Sequence, residues 1–134
     1  MPTARRVARA RGERGTAAVE FALVLPIVLA IVLALVQVGL LVRDRLLVES
    51  AVRSGARTAA VDPGDDAVRA SVLRAAPALD EGAVSLAITR VGARGEPVTV
   101  TLTYVAAVRV PFVAWLFPQG VSMQAEATDR QEFS

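Results

Sequence analysis

Between Glu20 and Arg43 the chain carries no charge, and residues 21–42 hold a single polar side chain, Gln37. As a helix rising 1.5 Å per residue, these 22 positions extend about 33 Å, against about 30 Å for a bilayer's hydrocarbon core. A secretory signal peptide has a shorter apolar core, about 7–15 residues, with a small-residue cleavage site after it. Here the run is longer, and Arg43-Asp44-Arg45 follows it. The segment is therefore expected to remain as a transmembrane helix. Pro26, one turn inside, removes one helical hydrogen bond and is expected to kink the helix, which membrane helices tolerate.

Past Arg43 the pattern narrows to a stripe. Leu47/Val48, Ala51/Val52, Gly55/Ala56 and Ala59/Ala60 recur at three- and four-residue spacing, with Arg43, Arg45, Glu49, Arg53 and Arg57 on the other side. Glu49 and Arg53 stand in the favourable i,i+4 order for an ion pair. The helix is expected to run on to Val61 and to stop at Asp62-Pro63-Gly64-Asp65-Asp66. Asp66 is then expected to cap a short helix over residues 67–76, closed by Pro77.

Beyond Pro77 the period drops to two. Val84, Leu86 and Ile88 alternate with Ser85, Ala87 and Thr89; Val98, Val100, Leu102 and Tyr104 with threonines; Val121, Met123, Ala125 and Ala127 with polar residues. Three half-buried antiparallel strands follow from this. Residues 92–97 form the loop between the first two, and residues 111–118 bridge the second and third. Trp115, Phe112 and Phe117 in that bridge fit packing under the sheet better than an exposed patch or an interfacial anchor. Three strands alone are marginal, so their apolar face is expected to cover the 47–60 stripe. The fold class is α+β: a long N-terminal helix, transmembrane and continuing outside, on a small antiparallel sheet.

Composition removes several functions. There is neither Cys nor His, so disulfides, thiolate metal sites and the usual general base are absent. Asp62, Asp65, Asp66, Asp80 and Glu81 lie in turn-like stretches, and no glycine-rich phosphate loop occurs. No enzyme, cofactor, metal or small-molecule substrate is expected. The net charge of +2 hides an asymmetry. Residues 1–15 carry five arginines against one glutamate, and the rest ten arginines against twelve acids. A basic leader abutting an apolar run holds the amino end in the cytoplasm and the head outside. Nucleic-acid binding is not expected.

One acid stands apart. Glu20 is the fifth residue after Gly15, at the mouth of the apolar run, where charge is costly and usually functional. Arg-Gly-x-x-Ala-Val-Glu-Phe-Ala-Leu-Val-Leu-Pro, from Arg14 to Pro26, and Ser54-Gly55-Ala56-Arg57-x-Ala59-Ala60 resemble the TadE-like family of minor pseudopilins. That family belongs to the tight-adherence (Flp, type IVb) pilus system. The resemblance covers residues 11–61 well and the rest only in size and strand count. It implies cleavage by a prepilin peptidase between Gly15 and Thr16. Glu20 and Phe21 would then be mature residues five and six, with Glu20 neutralising a neighbour's new amino terminus. The implied partners are that peptidase, other pilin-like subunits, the tight-adherence secretion machinery and membrane lipid. On this reading residues 1–15 are a cleaved leader, 16–42 the transmembrane helix, 43–61 its amphipathic extension and 62–134 an extracytoplasmic head, together a pilin-like lollipop in the cytoplasmic membrane. The competing reading is an uncleaved single-pass envelope accessory protein whose head docks on a partner.

Overall fold

A computed structural model describes residues 4–92, 94–109 and 119–133, with side chains from Gly15 onward. The element order is α1 (Ala4–Val61), α2 (Asp65–Ala75), a single 3₁₀ turn (Glu81–Ala83), β1 (Val84–Arg90), β2 (Pro97–Ala106) and β3 (Val121–Arg130). The expected bridge residues Phe112, Trp115 and Phe117 lie outside the described residues. Two compact units form, residues 1–36 and 37–134.

In the first unit α1 is continuous through Pro26. The proline nitrogen has no hydrogen to donate to the Ala22 carbonyl, so one bond of the ladder is missing there. From Gly15 to Val36 nearly every side chain is exposed, Phe21 at 66% and Leu23 at 69% among them. An apolar helix with no protein around it is long enough to cross a membrane.

The second unit holds the core. β1, β2 and β3 form one antiparallel sheet in sequence order, with Leu86 opposite Leu102 and Leu102 opposite Ala125. The period-two pattern sets burial: Val98, Val100, Leu102, Tyr104 and Ala106 turn inward from β2, while the threonines between them are half exposed. Against this face lie Val48, Ala51, Val52, Ala56, Ala59 and Ala60 of α1 and Val68 and Val72 of α2. The small residues of α1 permit the close approach. A Cβ added at Gly55 would stand 2.6 Å from Val72 Cγ2 and 3.4 Å from Val100 Cγ1.

Where α1 and α2 meet, polar groups satisfy each other. Ser54 Oγ and Ser71 Oγ are 2.9 Å apart, and Thr58 Oγ1 lies 2.9 Å from Ser71 Oγ and 3.2 Å from the Ser54 carbonyl. The chain's far end closes the unit. Gln131 exchanges backbone bonds with the Gly95 and Glu96 turn, and the Glu132 N–H donates to the Ala60 carbonyl at 2.7 Å. That bond satisfies one of the carbonyls a helix end leaves orphaned.

Two local expectations are corrected. Glu49 pairs with Arg45, not Arg53: Arg45 Nε lies 2.9 Å from Glu49 Oε1 while its Nη1 donates to the Gln124 carbonyl at 2.7 Å. The tie to β3 holds Arg45 in place, so the carboxylate meets a guanidinium that is already ordered. Asp66 is not the cap of α2. The cap position is Gly64, without a side-chain cap bond, and Asp65 and Asp66 fall in the first turn, where carboxylates suit the helix dipole. Asp62 Oδ1 instead accepts from the Gly64 N–H at 2.7 Å, turning the chain between the helices.

Gly55→Val should destabilise the second unit by about 1–3 kcal/mol. The branched side chain collides with buried Val72, and the overpacking outweighs the few tenths of a kcal/mol gained by replacing a helical glycine. A lower thermal midpoint of the full chain in detergent checks it. An unchanged midpoint would mean that the seam between α1, α2 and β2 is loose.

Candidate functional site: the exposed start of the apolar helix

The residues singled out in the sequence lie on an exposed stretch of α1. Gly15, Thr16, Glu20, Phe21 and Pro26 are all exposed. Gly15 stands inside the helix rather than in a loop before it, and nothing lies within 4 Å of where its Cβ would be. Helical spacing sets Thr16 and Glu20 one turn apart on the same face, with Phe21 the next position round. Among the described residues no group of three or more His, Cys, Asp or Glu side chains is placed to hold a metal ion.

Two other features depend on contacts that the pattern does not show. Gln37, the lone polar residue of the apolar run, is only 6% exposed, and its Oε1 accepts the Arg109 backbone N–H at 3.1 Å. An amide would be expensive in hydrocarbon; here it is covered, and paired by backbone of the segment after β2, 72 residues away. A polar residue alone in an apolar run was the available signal, but the sequence held nothing to name its partner. The second is an open groove beside the Ser54–Ser71 contact, lined by Arg53 and Arg57 with Ser50 and Thr58.

Residues 15–57 match the family model described as TadE-like protein. Over this segment the chain is similar to that family. The match starts at Gly15 and ends at Arg57, so it takes in the glycine, Glu20, the whole apolar run and most of the small-residue seam. That family is pilin-like and associated with the tight-adherence pilus, and it is typically structural rather than catalytic. No curated protein and no solved structure shows detectable similarity to the chain.

Gln37→Leu removes the acceptor of the Arg109 N–H and leaves that donor buried or wet. The bond should cost about 1–3 kcal/mol locally. Hydrogen exchange of the full chain in detergent should show faster exchange for a peptide covering Ala106 to Arg109, with α2 unaffected. Unchanged protection there would mean that the contact is not formed in solution.

Proposed function

We propose that the protein is a minor pseudopilin of a tight-adherence pilus system, a membrane-held subunit made as a precursor and cut after Gly15. The observation that carries this is one exposed stretch of helix holding Gly15, Thr16, Glu20 and Phe21 in order. It sits at the start of a TadE-like segment and directly before an apolar run whose residues 21–36 are almost all exposed. A plain anchor needs the apolar run but not the acid. A subunit that packs its helix against neighbours needs both, because each new Thr16 amine must be neutralised where water is scarce.

The helix runs through the proposed cleavage point, so the peptidase must open it there. Glycine makes this cheaper, being about 1 kcal/mol worse than alanine inside a helix. The net positive leader holds this end in the cytoplasm, where the peptidase acts, and residues 62–134 lie outside.

Amino-terminal or intact-mass analysis of protein from the native host tests the processing. Thr16 is expected first, with the leader gone. Met1 or Pro2 retained where the peptidase is active would favour the uncleaved envelope anchor.

Glu20 tests assembly. The attraction between a carboxylate and an ammonium grows about fourfold when the effective dielectric falls from that of water to about 20. Glu20→Ala and Glu20→Gln are expected to leave insertion, cleavage and the fold of residues 37–134 intact. Both should reduce co-purification with other pilin-like subunits and lower adherence several-fold. Parent-like adherence in both variants would make Glu20 a tolerated boundary acid.

A further inference from the structure

The contact between Gln37 and Arg109 sets a depth as well as a bond. Gln37 lies five residues before the end of the apolar run at Val42, which is about 8 Å along a helix. Its partner is backbone from the segment after β2. That segment therefore descends beside the last turns of the apolar run. With the apolar run across a bilayer as proposed, this contact puts the segment after β2 at the level of the headgroups.

At that level there is a crevice. It is lined by Gln37 and Leu40 from within the apolar run, Arg43 and Asp44 from just beyond it, and Tyr104 and Arg109 from β2 and its exit. Its volume is about 80 Å³, room for a few waters or one phosphate group. The two arginines outnumber the one carboxylate. Among the described residues neither Arg43 nor Arg109 has a carboxylate partner, whereas Arg45 pairs with Glu49 and Arg90 with Asp65. Leu40 lines it from the apolar run and Arg43 from one turn farther along, the order in which a lipid presents its acyl chain and its phosphate.

We infer that this crevice binds the headgroup phosphate of an anionic phospholipid, with Arg43 and Arg109 on the phosphate and Leu40 against the top of the acyl chain. The inference rests on the membrane-span part of the proposed function and not on cleavage after Gly15. Its occupant is fixed by three features together: small volume, unpaired positive charge, and position at the end of a membrane-length apolar run. A protein segment would need a longer groove, and a nucleic acid a wider basic surface.

Native mass spectrometry of the full chain in detergent tests it, with phosphatidylglycerol and phosphatidylcholine added in equal amounts. The parent should retain phosphatidylglycerol preferentially. An arginine near an anionic lipid is worth about fivefold in affinity, so Arg43→Gln with Arg109→Gln should bring the preference close to parity. Arg43→Lys with Arg109→Lys should keep most of it, and Arg53→Gln with Arg57→Gln should keep all of it. Far-UV circular dichroism establishes that the variants are folded. Equal retention of both lipids by the parent would overturn the assignment, as would a preference that survives the double glutamine change. Displacement of the lipid by inorganic phosphate at matching concentration would assign the crevice to a free anion instead. The same spectra give the mass of the chain, so retention of the leader is scored separately from failure of the lipid site.

Discussion

At Gly55 the backbone of α1 comes so close to α2 and β2 that a single added carbon would meet Val72 at 2.6 Å. The second unit depends on this approach. A three-stranded sheet has one apolar face and too little area to stabilise itself. Val98, Val100 and Leu102 become fully buried only because a helix lies against them, and the contacting stripe is built of alanine, glycine and valine. Bulkier residues would lift the sheet off and leave voids along β2. The narrow seam also explains the composition: few aromatics, many alanines and valines.

The seam constrains what surrounds it. α2 sits near enough for Val68 and Val72 to share the core, so Ser54, Thr58 and Ser71 are drawn together and must bond one another. Buried hydroxyls are acceptable only when satisfied. The carboxyl end of the chain then reaches back to the Ala60 carbonyl, which ties β3 to the end of α1. Sheet, second helix and tail all take their positions from the small face of α1.

Elements defined by local chemistry could be read directly from the sequence. The stop at Val61 follows from Pro63 and Gly64, and the three strands from a clean alternation with threonine on the outer side. Choices that distant contacts decide could not. Glu49 has an arginine four residues away on each side, and spacing alone favours Arg53; the Gln124 carbonyl, supplied by β3, settles the choice for Arg45. Asp66 had two acidic neighbours equally able to begin a helix, and the turn made by Asp62 moved the start to Gly64. For the candidate site, Gly15, Glu20 and Phe21 stood out in the sequence because their surroundings are their own helix, and the structure shows them exposed on it. Gln37 was legible as an anomaly, not as a contact.

Gln37 also shows how α1 passes from an exposed apolar stretch to one covered by protein. An apolar helix in lipid can be greasy on every side, whereas one under a sheet needs only a stripe. If the change were made abruptly at Arg43, the amide of Gln37 would face hydrocarbon with its hydrogen-bonding capacity unused, at a cost of several kcal/mol. Instead the segment after β2 brings an N–H that has no strand partner to an amide that has no water. Each group answers the other's deficit, and the protein side of the boundary extends below the last charged residue. The charge-free run therefore overstates the length of helix that protein leaves uncovered: 22 residues lack charge, yet the sixth from the end is already covered by protein.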